Sequence, residues 1–265
     1  MDGFPQVATY VLVALAVYFL ILPPFVAFAG LRLNRQPEVL QFELDSDEMP
    51  RSMLERAFDN SEQLKECGFE SLGGIVLPDA VPTVRVIGEF FVNRREKVEA
   101  NVLVFFGDGP LWTINKRYVE FISGFDSSEL RELCTIDMGE YGSFPDAPDT
   151  LHFRLPGVAD VEELWNCHLK LVDRHAGGLR RFLRVSEEFG DDPALRMAVS
   201  LPEDYERQVA NGYLRLSGNG EYYGPTFVGS YLIVWKELWP IKGIRNAMLR
   251  AKGRRLLNEL TQSFD

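Results

Sequence analysis

The spacing of hydrophobic residues divides the chain into an unbroken apolar run, a long stretch of period-two alternation, and later segments of helical period. Residues 7–29, VATYVLVALAVYFLILPPFVAFA, carry no charge, and neither does any position between Asp2 and Arg32. At about 1.5 Å per residue this run measures roughly 35 Å as a helix, enough to cross a hydrocarbon core. It predicts one transmembrane helix, loosened near Pro23-Pro24 where the prolines lack an N–H and crowd the preceding turn. Ala27-Phe28-Ala29 before Gly30 also matches a small-x-small cleavage pattern, so a cleaved secretory signal is the alternative. The start MDGFPQ has no Lys or Arg and the run exceeds an ordinary signal core, which favours a retained anchor.

Residues 38–45, EVLQFELD, alternate apolar and polar and predict a strand. A helix follows near Pro50, with Met53, Leu54, Ala57, Phe58 and Leu64 at helical spacing and Gly68 as its stop. From Ser71 to Asp137 short runs rich in Val, Ile, Phe and Tyr (SLGGIVLPD, TVRVIGEFFVN, VEANVLVFFG, LWTINK, YVEFISGF) are separated by Pro78, Pro82, Asn93-Arg94-Arg95, Gly107-Asp108-Gly109-Pro110 and Gly124. Short turns between them imply antiparallel pairing, because parallel strands need longer crossovers. Residues 139–149 read as a Gly/Pro loop. A helix is predicted from an Asp160 N-cap with Glu163 three residues on, carrying Val161, Leu164, Trp165, Leu169 and Val172 to the core. Another is expected over residues 178–189, with Arg180, Arg181 and Arg184 on one side and Phe182, Leu183 and Val185 on the other. Ser217-Gly218-Asn219-Gly220 marks a hairpin.

Residues 227–239, FVGSYLIVWKELW, are apolar but too short to span. After Pro240, residues 241–260 place Ile244, Ala247, Met248, Ala251 and Leu256 opposite Arg245, Lys252 and Arg255 on a helical projection. The fold class expected is therefore α+β: a mainly antiparallel sheet packed by helices, preceded by an N-terminal transmembrane helix and followed by a basic amphipathic helix. Three segments result: the anchor with its flanks at 1–35, the α+β body at 36–226, and the C-terminal helical segment at 227–265.

Charge sharpens this division. The net charge of −11 conceals +1 over residues 1–35, +4 over residues 241–265 and −16 between them. An acidic body repels nucleic acid and anionic lipid alike, which argues against nucleic-acid binding. The basic ends suit a lipid surface, each near-surface cation contributing about 1 kcal/mol. Tyr231, Trp235, Trp239, Lys242, Arg245, Arg250, Lys252, Arg254 and Arg255 are accordingly the candidate membrane-contacting residues. The bland alternative is a terminal helix lying on the sheet with a solvated basic side. Arg32 and Arg35 on the C-side of the run favour an external N-terminus and a cytoplasmic body. The cysteines Cys67, Cys134 and Cys167, odd in number and irregular in spacing, suit free thiols.

The chain shows no catalytic or cofactor motif. Cys167-His168 and His175 do not share one helix face at metal-binding spacing, and His152 stands elsewhere, so surface or interface histidines are the expectation. Gly218-Asn219-Gly220 with Gly224, and Gly107-Asp108-Gly109, lack the strand–helix setting of a phosphate cradle. Asp45, Asp47 and Glu48 lack the rest of a calcium loop and read as helix-start acids. The acidic pairs Glu162-Glu163 and Glu187-Glu188 read as solvated helix faces. The leading expectation is a non-enzymatic, membrane-tethered domain that binds a protein partner or supports a membrane-associated assembly. The alternative is a lipid or small-hydrophobe binder whose sheet aromatics, Phe90, Phe91, Phe105, Phe106, Trp112, Phe121 and Phe125, line a pocket rather than a core.

Overall fold

In the computed structural model of the protein, the described residues are 7, 9–11, 13, 17–42, 51–81, 84–109, 112–138, 144–158, 160–238 and 240–262. Near the N-terminus a π-helical turn, Val17–Ile21, leads into α1, Leu22–Gly30, with Pro23 and Pro24 in its first turn. The irregular turn falls where the two prolines remove N–H donors to the preceding helical turn and crowd it, the loosening that the sequence predicts. Among the described residues, no helix is long and apolar enough to cross a membrane.

The predicted alternation becomes an eight-stranded sheet. Its strands are β2 (Leu40–Phe42), β3 (Glu70–Val81), β4 (Val84–Asn93), β5 (Val98–Gly109), β6 (Trp112–Phe125), β7 (Glu132–Ile136) and β8 (Thr150–Arg154), in that spatial order. The two-residue β9, Arg181–Phe182, adds to β6. All pairs are antiparallel except β7 with β8. LWTINK and YVEFISGF form one strand, and Gly107, Asp108 and Gly109 stay paired to the hairpin's end. Pro78 does not end β3; it lies at a register shift between Leu77 and Val81, where its missing donor is tolerated.

Between β2 and β3 runs α2, Arg51–Glu66. After β8 comes α3, Val161–Ala176, whose Asp160 carboxylate accepts from the Glu163 N–H as predicted. The helix expected over 178–189 is shorter: β9 takes its first half and α4 covers only Arg184–Phe189. A further helix not anticipated from the sequence, α5, spans Pro193–Ala210, capped by Asp192 through the N–H groups of Ala194 and Leu195. The predicted hairpin is β10 (Leu214–Leu216) with β11 (Tyr222–Pro225), joined by β1 (Leu33–Asn34) in a small second sheet. The chain ends in α6, Phe227–Glu237, capped by Thr226, and α7, Ile241–Gln262.

The large sheet is covered on both sides. On one face Ala100, Val102, Phe121, Phe125 and Leu133 meet Leu64 of α2, Leu164, Trp165 and Leu171 of α3, and Leu260 from the end of α7. On the other, α5 lays Ala194, Met197 and Leu201 over Ile75, Leu77, Phe90 and Leu103. The expected single face of α7 divides accordingly: Leu256 is packed against the core, whereas Ile244 and Met248 are exposed. Twelve residues at about 100° each put Leu256 some 120° away from Ile244, so the two cannot share a face.

Candidate functional site

Register decides which side chains meet beneath α5. Asn101 pairs with Glu120, Ile122 with Cys134, and Cys134 with His152, so these residues project from the same face of β5 to β8. Glu99, Glu132 and Arg154 lie two residues along the same strands and share that face. Polar residues alternating with Val98, Ala100 and Val102 look like the solvent side of a half-exposed sheet. The covering helix makes them interior instead: Glu99, Asn101 and Glu120 are 4%, 4% and 3% exposed. Arg196, Ser200, Asp204 and Gln208 of α5, together with the segment Phe144–Ala147, close a polar cleft of about 270 Å³ over them.

The cleft is held together by charge. Arg196 Nη1 lies 2.8 Å from Glu99 Oε2, and Glu99 Oε1 accepts from the Val185 N–H at 2.9 Å. Burial raises the Glu99 carboxyl above its ordinary range, with Arg196 and the Val185 N–H pulling it back. Arg184 donates to Glu188 at 2.7 Å and to Glu203 at 2.8 Å. Burial opposes its charge, but those carboxylates and Glu132 outweigh burial and keep it ionised. Glu120 is pushed up to about 7, first by burial and then by Glu132, against the pull of Arg196, an Asn101 hydrogen bond and Arg154. Burial also drives the Cys134 thiol well up. His152 is lowered by burial, with Asp146 opposing. Asp146 Oδ1 stands 3.4 Å from His152 Nδ1, a contact that is ionic only when the ring is protonated, and Arg154 Nη2 grips both Asp146 oxygens at 2.7 and 2.9 Å. Glu120, Cys134 and His152 each bring a metal-ligating atom within 4.8 Å of the others. Asn101 Oδ1, Gln208 Oε1 and Arg196 Nε, on residues that line this space, are buried without a hydrogen-bond partner.

The residues proposed for membrane contact lie elsewhere. Tyr231 and Trp235 are half-buried on α6 and share a shallow apolar groove with Val228, Leu232 and Arg245. Arg245, Lys252 and Arg255 line a second such groove on α7 beside Ile244 and Met248. Lys242 is held 2.6 Å from Glu237, and Arg250 and Arg254 are exposed. Trp239 falls outside the described residues, as do Asp45, Asp47 and Glu48. α1 packs against α6, and α6 against α7.

His168 reverses its expectation. It is 0% exposed, with Nε2 2.9 Å from Ser123 Oγ and Nδ1 3.0 Å from Thr135 Oγ1. Two strand hydroxyls satisfy the ring, and burial lowers it to about 3, so it is a neutral core group that carries no charge to a reaction. His175 is exposed, as expected, with its ring 5.0 Å from that of Phe153. The three cysteines are free thiols. Of the sheet aromatics, Phe91, Phe121 and Phe125 fill the core against α2 and α3, and Phe90 and Phe105 pack under α5. The side chains of Phe106 and Trp112 lie outside the described set. No family model matches the chain, and no characterised protein or solved structure is similar enough to count as a match.

Proposed function

We propose that this chain is a membrane-held binding protein: residues 7–29 anchor it, α6 and the first half of α7 rest on the same bilayer surface, and the acidic body engages a partner from there. The observation that carries the reading is where large apolar side chains remain in solvent. Tyr10, Tyr18 and Phe25 in the N-terminal run, Phe227 and Val228 on α6, and Ile244 and Met248 on α7 are all exposed, and α1 packs on α6 and α6 on α7. Exposed apolar side chains on neighbouring helices, with cations beside them, suit an anionic bilayer, which takes up apolar groups and counters Arg245, Lys252 and Arg255 together. Burying one such side chain contributes roughly 1.5–3 kcal/mol, so a few of them outweigh the repulsion between lipid and the acidic body. The anchor itself is supported by the uncharged length of the run. A hydrophobe-binding pocket has less support, because the cleft under α5 is lined by carboxylates and guanidinium groups.

The test uses the full chain reconstituted into phosphatidylserine-containing vesicles. Alkaline carbonate should leave it in the membrane, and extraction into the wash would refute the anchor. Trypsin should cut at Arg245, Arg250 and Lys252 more slowly in these vesicles than in zwitterionic ones, and Ile244→Glu with Met248→Glu should abolish the difference. Equal cleavage of the unaltered chain in both vesicle types would refute the surface contact.

A further inference from the structure

We propose that Glu120, Cys134 and His152 form a binding site for one divalent transition-metal ion, zinc before others, with a fourth coordination position open to the polar cleft. The three residues come from adjacent strands. Cys134 and His152 are register partners across the parallel β7–β8 pair, and Glu120 is two residues from Ile122, which pairs with Cys134. All three therefore project from one face at neighbouring points of a rigid sheet, the kind of support a precise ligand set requires.

Geometry and donor chemistry agree. One ligand atom from each residue lies within 4.8 Å of the others. A tetrahedral ion with bonds of about 2.0–2.3 Å needs ligand separations of about 3.3–3.8 Å, so an adjustment of roughly 1 Å in side-chain torsions closes the site. A thiolate beside an imidazole disfavours calcium and magnesium, which take oxygen ligands, and favours zinc. Asp146, clamped by Arg154 with Oδ1 3.4 Å from His152 Nδ1, is close enough to accept that N–H after the same small adjustment and so to orient a ligating imidazole. Three protein ligands rather than four are the pattern of a zinc site that keeps a position for water or an oxygen ligand.

A second observation points to an occupant independently of the triad. Asn101 and Gln208, 4% and 3% exposed, line the cleft and leave Oδ1 and Oε1 buried without partners, as Arg196 leaves Nε. Buried polar atoms of this kind are rare unless water or a ligand meets them. A metal-bound water or oxygen ligand in the cleft would supply both donor and acceptor groups.

Cobalt(II) titration of the metal-free full chain in detergent tests the assignment, because a cysteine thiolate on cobalt gives a charge-transfer band. The expected result is one equivalent bound with that band, displaced by zinc. Cys134→Ser should remove the band. Glu120→Gln should keep it, showing that the site still folds, while weakening affinity by about tenfold or more. Cys167→Ser, a thiol on α3, should leave band and affinity unchanged. Absence of the band in the unaltered chain, its survival in Cys134→Ser, or its loss in Cys167→Ser would overturn the proposal.

Discussion

The two faces of the large sheet are built from the same strands and follow opposite logic. Along β5, Val98, Ala100, Val102 and Val104 enter a continuous apolar core, whereas Glu99 and Asn101, one residue out of phase, enter a buried polar cleft. The first face is stabilised by non-directional burial, to which each methylene contributes. The second depends on matched partners, so its groups cost free energy one by one unless their charges and hydrogen bonds are met. A filled apolar face holds the sheet rigid, and a polar face on the same strands can then keep reactive groups a few ångströms apart.

The sharpest way to break this contrast is through the polar group placed on the apolar side. His168 is lowered to about 3 from an ordinary 6.5, so its neutral form contributes stability that is complete above pH 6.5 and is lost as pH falls toward 3. Up to about 5 kcal/mol disappears across that window. Urea unfolding of the full chain in detergent at pH 7 and pH 3.5 should show it, with His168→Gln losing less over the same interval. Next in size, Phe121→Ala opens a cavity at the centre of the apolar face, between Phe69 and Trp165, and should cost about 4 kcal/mol at any pH. On the polar face Arg196→Met should cost about 3 kcal/mol, because it leaves Glu99 buried without its counter-ion. Glu99 can respond by taking up a proton, so the loss should be greater at pH 8 than at pH 5, and Glu99→Gln in the same chain should recover most of it. Replacing one partner hurts and replacing both does not: apolar truncations such as Phe121→Ala should show no such rescue. The smallest effect is local: Asp160→Ala removes the α3 cap and should cost about 1 kcal/mol, read as a shift of the urea midpoint.

These faces were unequally legible in the sequence. The strands from β3 to β6, the Asp160 cap and the Asn-Gly hairpin follow from local patterns, since alternation, capping and turn chemistry act within a few residues. Five-residue β8 was hidden because it pairs in parallel with β7, and nothing in TLHFR marks a partner so placed. α5 was hidden for a different reason. Pro202 sits inside it, and Arg196 and Gln208 occupy buried positions where an apolar stripe would be sought. Without α5, Glu99, Asn101 and Glu120 read as solvent-facing, and the cleft had no visible lid. The signal that could have found it was charge in the middle of strands otherwise dense in Val, Phe and Ile. His168 was misjudged because a ring's partners, here Ser123 and Thr135, come from distant strands.

Outside both faces lies the third surface, the exposed apolar side chains of the N-terminal run, α6 and the first half of α7, on which the membrane reading depends. Its most direct test compares two exposed apolar residues. With Cys67→Ser in place, Met248→Cys and Leu195→Cys each carry a nitroxide label in the full chain on phosphatidylserine vesicles. The account predicts that the label at 248 is relaxed more by lipid-soluble oxygen than by a water-soluble nickel chelate, and that the label at 195 shows the reverse. Equal, water-dominated relaxation at both positions would contradict it.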